Sequence, residues 1–434
     1  MHRSLLLIAT RGSTLWVLLN TNRVTEEIIH KRAKLTHERP PMPISGNLVS
    51  RGMRSVTQPT SVWTELRRLM RPLLNDKWTR TFEQWQDFES REMLKAYVDH
   101  PEGWWMWNSR YATGVMYGVI SGKRLGKTEE EMGLYRRTTM EFLGTIQGTV
   151  VDFFPWLGSL PMALQVWKAK WEAMGARHRE IFRSWWDPIK AGVVPSHNDE
   201  KKQEQTEQKS WVRDVVLNPE TQFKGSEEEA LYLTNTVLSA GGDNPRIAIN
   251  TCLMACLSHP SAYKTCVNEI TSLCEGASRL PCASDIISGA LPYTCAFIKE
   301  VLRWRPVVPQ VPPHTAAETF AFEDFVFPKG TSFMINVPAV CLDYADEPEV
   351  FKPERWLDGN GGERKLTKDF WGFGGGKRIC IGYKVALTAI AVPFARVLWG
   401  FEVVKVSSSL CSLTYWDALV CVLWLTLLVT ERGV

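Results

Sequence analysis

The stretch Phe373-Gly374-Gly375-Gly376-Lys377-Arg378-Ile379-Cys380-Ile381-Gly382 sets one cysteine just ahead of an apolar helix. A cysteine at a helix N-terminus sees the positive end of the helix dipole and unpaired backbone N–H groups. Both favour the thiolate, the form in which sulfur binds ferric iron. Glycines at 376 and 382 let the backbone take positive φ or lie against a flat macrocycle. Arg378, two residues before the cysteine, presents a planar fork of donors that suits a carboxylate such as a haem propionate. Phe373 is placed to pack on the proximal side and shield the sulfur. The stretch therefore reads as a haem-thiolate site with Cys380 as the metal ligand.

The spacing Phe-x-x-Gly-x-Arg-x-Cys-x-Gly, followed by an apolar helix, resembles the haem-binding signature of the cytochrome P-450 monooxygenases, and every fixed position is filled. Other residues fall in register with it. Trp63 and Arg67, four apart and so on one helix face, match the family's Trp-x-x-x-Arg pair, which implies a hydrogen bond to a haem propionate. Glu300 and Arg303 lie on a helix expected from Tyr293 to Trp304, and Arg355 lies in Pro353-Glu354-Arg355-Trp356. Together they match the Glu-Arg-Arg triad that locks the proximal side of the family's fold. His314 stands where a family residue binds a propionate; an exposed turn histidine is the alternative.

Ser226-Glu227-Glu228-Glu229 is a capping box with an acidic first turn and predicts a long helix toward Leu257. Inside it lies Ala240-Gly241-Gly242-Asp243-Asn244-Pro245. In a helix interior Gly costs about 1 and Pro about 3 kcal/mol relative to Ala, so a distortion with a purpose is expected here. The resemblance implies a widened groove over the haem where oxygen binds and protons arrive. Gly242, Asp243 and Asn244 are then the candidate catalytic residues, with Asp243 as proton source and Asn244 where the family has threonine. In the alternative, Asn244 only bonds the helix backbone beside Pro245.

The elements that must position these groups are mostly helical. A strand is expected at Thr14 to Asn20, helices at Asn22 to Lys34 and from Trp63 to about Leu74, and mostly helix from Thr81 to Trp186. The many tryptophans of that region read as core or as a membrane-facing surface. Asp152-Phe153-Phe154-Pro155-Trp156-Leu157 resembles the family's loop that dips into the membrane and gates substrate entry. Residues Gly192 to Lys209 read as a solvated linker, and Phe320 to Asn336 as a small hairpin. The implied fold class is mainly α with small β-sheets, as one haem domain over residues 12–405. Residues 1–11 read as an N-terminal remnant with no membrane anchor, because Leu5 to Ala9 is far too short to span a bilayer. Residues 406–434 read as a divergent apolar tail. Its run 410–429, broken by Asp417, is a weak membrane-helix candidate or, preferred here, a segment that is no native part of the fold.

Bulk properties exclude little else. A net charge of +4 with 23% charged residues in 434 is ordinary for a globular chain and implies no nucleic-acid partner. All ten cysteines follow residue 250 without metal-ligand spacing, which reads as free thiols in a reducing compartment. Basic residues gather at Arg67, Arg68 and Arg71 and at Lys377, Arg378 and Lys384, either as solvated surface or as a docking face for an acidic electron donor. The resemblance implies haem b as cofactor and insertion of one oxygen atom from O2 into a small apolar organic substrate. It also implies an NADPH-dependent flavoprotein reductase and residence at the cytoplasmic face of the endoplasmic reticulum, with possible membrane-surface contact. The later motifs resemble those of filamentous-fungal members that tailor secondary metabolites. Oxidative coupling, ring closure or desaturation, and a truncated haem-binding protein without turnover, stay open as alternatives.

Overall fold

The computed structural model describes residues 6–192, 209–405 and 427–431, apart from positions 13, 147, 222, 277, 344, 360, 361 and 363–369. Most of the linker expected at 192–209 and residues 406–426 and 432–434 of the apolar tail therefore lie outside the described residues. The first half of the chain carries β1 (Leu6–Arg11), β2 (Thr14–Leu19), α1 (Asn22–Thr25), α2 (Thr60–Met70), α3 (Asp76–Asp99), α4 (Trp104–Ser121), α5 (Glu129–Ile146), α6 (Val150–Phe153) and α7 (Lys168–Lys190). The second half carries α8 (Glu227–Ser258), α9 (Pro260–Leu273), α10 (Ala283–Ile287), α11 (Pro292–Trp304), β3 (His314–Thr315), β4 (Phe320–Phe322), β5 (Phe325–Phe327), β6 (Ser332–Ile335), α12 (Val337–Asp343), α13 (Tyr383–Gly400), β7 (Phe401–Lys405) and β8 (Leu427–Glu431).

The central element is α8, 32 residues long. Its capping box closes as the sequence predicts: Ser226 Oγ accepts from Glu229 N at 3.2 Å while Glu229 Oε2 accepts from Ser226 N at 2.7 Å. The glycines and proline do not interrupt it, since helix runs unbroken through Pro245. Packing explains the glycines. A Cβ on Gly241 would lie 2.5 Å from Met116 Sδ, and one on Gly242 would lie 3.2 Å from Thr113 Oγ1, so their absence lets α4 cross α8 at close range. Pro245 brings no N–H, and the Gly241 carbonyl thereby loses its usual donor. Around α8 the indoles of Trp185, Trp186 and Trp211 and the rings of Tyr97, Tyr111 and Phe297 are fully buried. Of the tryptophans between Thr81 and Trp186, Trp85, Trp185 and Trp186 are core, Trp104, Trp105, Trp107, Trp167 and Trp171 are half-buried, and Trp156 is exposed.

The main sheet has the order β1-β2-β6-β3. β2 runs parallel to β6, with Trp16 opposite Ser332, and β1 pairs antiparallel with β2 from Leu6↔Leu19 to Arg11↔Thr14. Residues 6–11, expected to lie outside the fold, therefore form its edge strand. The stretch expected to be one hairpin divides: β4 and β5 pair with each other, while β6 joins the main sheet. The helix expected over Asn22 to Lys34 is a four-residue α-turn that continues as a π-helix over Glu26–Lys31. At the other end, β8 pairs antiparallel with β7 from Phe401↔Glu431 to Lys405↔Leu427. This corrects the reading of the tail as no part of the fold. It also places Leu427 to Val429, the end of the proposed membrane run, in a strand.

Among the described residues no helix is long and apolar enough to cross a membrane. Apolar side chains do stand exposed after α6: Trp156 is 60%, Met162 76% and Val166 83% accessible. The β1–β2 turn backs onto α6, where a Cβ on Gly12 would fall 1.7 Å from the Phe153 carbonyl oxygen.

A candidate haem-thiolate site

Gly382 is the N-cap of α13, so Cys380 sits two residues ahead of the cap. Its N–H donates to the Phe373 carbonyl at 2.8 Å, which folds the loop back on itself. Phe373 packs edge-on against Phe370, with centroids 5.7 Å apart. Gly376 has φ +60°, and a Cβ there would meet the Ile29 carbonyl oxygen at 2.4 Å, so glycine is required twice over. Gly382 differs. Its φ of −77° suits any residue, and a Cβ would meet only Cys380 Sγ, at 3.8 Å. Here glycine keeps the space beside the sulfur clear.

Of the eight cysteines among the described residues, Cys380 alone is exposed. Burial nonetheless raises its thiol pKa, offset in part by the backbone N–H groups of Gly382 and Tyr383 and by the Arg67 charge. Accessible surface together with a desolvated thiol describes a sulfur deep in the protein and open on one side. The sequence predicts a lowered pKa; the helix-terminal donors are present, but desolvation outweighs them.

A cationic wall lies beside this opening. Arg67 Nη1 donates to the Ile379 carbonyl at 2.7 Å, and the Trp63 ring carries both guanidinium groups, Arg67 at 4.9 Å and Arg378 at 4.3 Å. Trp63 is thus a stacking platform for two cations. Arg378 Nε donates to the His37 carbonyl, and Nη2 donates to the Gln58 carbonyl and Thr60 Oγ1, at 3.0 to 3.1 Å. Its Nη1 is buried without a partner.

His314 is buried on β3, not exposed in a turn, and its Nδ1 lies 2.8 Å from the Thr36 carbonyl. Burial, then the charge of Arg39, drive its pKa down to about 3, so the ring is neutral. A neutral ring that donates from Nδ1 offers only an acceptor at Nε2, and His314 must gain a proton before it can donate to a carboxylate. Arg39 was not singled out by the sequence, where it is one arginine before two prolines. It donates to the carbonyls of Val56, Pro312 and Pro313, and burial, with Arg378, lowers it to about 9.

Behind the loop, the triad closes around Glu300. Arg303 donates to it from Nε at 2.9 Å and Nη2 at 2.8 Å, and Arg355 Nε at 3.2 Å. Trp356 Nε1 and the Lys352 backbone N–H add donors at 2.9 and 2.8 Å. Arg303 and Arg355 also donate to the Val350 carbonyl, which ties α11 to the 346–356 segment.

The three candidate catalytic residues on α8 part company. Gly242 faces Thr113 on α4. Asp243 Oδ1 accepts from Arg246 Nε at 2.9 Å and Nη2 at 2.6 Å, so its carboxylate is held by a guanidinium. Asn244 is exposed, as is Ala240 one turn before it, with Thr236 partly open beyond. These three make an open stripe along the helix.

This donor set fits a haem. The unpartnered Nη1 of Arg378, the cluster of Arg39, Arg67 and Arg378 with no carboxylate bonded to any of them among the described residues, the open sulfur and the clear space at Gly382 suit a flat iron macrocycle with two carboxylates.

Comparison with known proteins agrees. The cytochrome P-450 family profile matches residues 7–416. The chain is 26% identical over 393 residues to cytochrome P-450 monooxygenase aneD of Aspergillus aculeatus, covering 89% of this chain and 72% of that one. It is 28% identical over 404 residues to cytochrome P-450 monooxygenase 58 of Postia placenta, covering 89% and 73%. To cytochrome P-450 monooxygenase virE of Hypocrea virens it is 25% identical over 405 residues, covering 90% and 71%. With a mainly α fold, a lone open cysteine before α13 and a profile match along nearly its whole length, this chain belongs to the cytochrome P-450 family of haem-thiolate, oxygen-incorporating oxidoreductases.

Proposed function

We propose that the protein binds haem b and inserts one oxygen atom of O2 into a small, largely apolar organic substrate, with electrons from NADPH through a flavoprotein reductase, and that it tailors a fungal secondary metabolite. The observation that carries this reading is Cys380: among the described residues the one exposed cysteine, at the head of α13, faced by arginines that bond no carboxylate. Haem bound there would supply iron-centred activation of dioxygen, with the thiolate donating electron density.

The chain's own residues bind, orient and exclude water. Arg378 Nη1 and Arg67, braced on Trp63, would hold the propionates, and a protonated His314 would join them. The Cys380 N–H bond to Phe373 fixes the direction of the sulfur, and the Glu300 cluster keeps the loop's support rigid. On the other face, the Asn244 amide offers a donor and an acceptor from the open stripe of α8. Asp243, held through Oδ1 by Arg246, is the residue we assign to proton delivery.

Exposed Arg68, Arg71, Lys377 and Lys384 support a docking face for an acidic electron donor. The exposed apolar residues around Trp156 and Met162 support contact with the surface of the endoplasmic reticulum membrane. A haem-binding protein without turnover is the alternative; the pairing of β8 with β7 supports the catalytic reading by giving the tail a place in the fold.

The test is Cys380→Ala in the haem-reconstituted protein. The parent should give the thiolate-type spectrum of the reduced carbon monoxide complex and the variant should lose it. Survival of that spectrum in the variant would refute the assignment.

A further inference from the structure

Arg54, between the π-helical turn Pro43–Val49 and α2, is only 4% exposed, yet its Nε and Nη2 are buried without a hydrogen-bond partner. The cation instead lies 3.9 Å from the centroid of Phe142 on α5 and 4.9 Å from that of Phe182 on α7. Burial lowers its pKa to about 10, so it stays charged at neutral pH; the hydroxyls of Tyr135 and Tyr232 favour that charge, and the His178 imidazole, bonded through Nε2 to Glu141 at 2.7 Å, also feels it. The tyrosine rings complete the box: Tyr232 meets Phe182 edge-on at 5.5 Å, and Tyr135 lies 5.8 Å from Phe182. Tyr135 donates to the Asn235 carbonyl at 2.9 Å, whereas Tyr232 Oη is buried and unpartnered.

Other buried arginines of the chain show what this edge of a guanidinium is for. Arg303 grips Glu300, and Arg246 grips Asp243, each through Nε and Nη2. Arg303 meets both Glu300 oxygens and Arg246 converges on Asp243 Oδ1, so this edge is built to hold a carboxylate. In Arg54 the same pair makes no hydrogen bond. A buried cation held only by aromatic faces lowers stability, and such a residue persists where its charge has a use.

We propose that the Nε–Nη2 edge of Arg54, with the Tyr232 hydroxyl beside it, binds a carboxylate on the substrate, so that the chain acts on an elongated apolar acid held by its charged end. This rests on the reading of the chain as a monooxygenase and names the substrate class. Tyr232 lies three turns, about 18 Å, N-terminal to Asn244 along α8, which sets the separation between the acid and the atom that is oxidised. Neither edge atom has free surface, so the ligand must part Phe142 or Phe182 from the guanidinium as it enters.

The haem-loaded full chain, first shown to give the thiolate-type carbon monoxide spectrum, is titrated with tetradecanoate and with tetradecanol, following the low- to high-spin change. The parent should bind the acid at least about tenfold more tightly than the alcohol, as expected of a hydrogen bond to a charged group. Arg54→Met should abolish that preference while keeping the thiolate-type carbon monoxide spectrum; Arg54→Gln serves if the Met variant does not fold. The inference is overturned if the parent shows no acid preference, including binding of neither probe. It is equally overturned if the preference survives in Arg54→Met or, where that variant does not fold, in Arg54→Gln. Failure of the carbon monoxide spectrum would instead remove the monooxygenase reading, so the two failures are distinguishable.

Discussion

Asn244 and its neighbours show how one turn of helix separates roles that sequence places side by side. Asp243 is tied to Arg246, and Gly242 is spent on the α4 crossing, which leaves the Asn244 amide on the open stripe. An amide carries its donor and acceptor at separate ends, whereas a hydroxyl can serve as both at one atom. Asn244→Thr should therefore raise product formed per NADPH consumed by about twofold or more, small against the 10²–10⁴ of a whole acid–base step. Unchanged coupling would leave Asn244 only a backbone-bonding role. What was legible at this scale follows a pattern. Glu300, Arg303 and Arg355 could be read because their partners are fixed by short spacings within motifs. The neutrality of His314 could not, because it depends on Thr36 and Arg39, some 278 residues away in sequence. Arg54 carries no spacing signal at all.

At the level of elements, β8 alters the forecast for the tail. It is the described partner of β7, and β7 continues directly from α13, the helix whose start carries Cys380. Removing 427–431 should lower stability by about 2–5 kcal/mol for a five-residue ladder and reduce haem content with it. Unchanged haem content and melting temperature in the deletion would show that the pairing contributes nothing. The long helices were legible, because caps and periodicity reinforce one another at Ser226 and along Pro292–Trp304. β1 and β8 were not. A short apolar run reads equally well as strand, core helix or membrane segment until its partner is known. The same limit hid the purpose of Gly241 and Gly242, since a helix crossing is invisible without the helix that crosses.

For the molecule as a whole, Glu89 on α3 should weaken the fold as pH rises toward neutrality. It is 2% exposed, faces Gly114 of α4, and burial raises its pKa from 4.5 to about 7 against the pull of Arg110 and Arg124, with Glu92 adding to the rise. The folded chain thus holds a proton between those values that the unfolded chain has released. Stability should fall as pH rises through that window, by about 3 kcal/mol in all. Melting temperatures of the parent and Glu89→Gln should agree near pH 5 and separate toward pH 8, with the variant higher; parallel curves would rule this out. The distances along the chain that bind the cysteine loop together have a further outcome, for assembly. Arg378 reaches His37 across 341 residues, Arg67 reaches Ile379 across 312, Trp371 reaches Asn22 across 349, and β2 lies parallel to β6. Each of these contacts closes a loop longer than most whole domains, a slow step in folding even though its entropic cost grows only with the logarithm of length. The walls of the sulfur site are therefore among the last surfaces to form, and a nascent chain can present Cys380 to a macrocycle only after its first hundred residues and its last third have met.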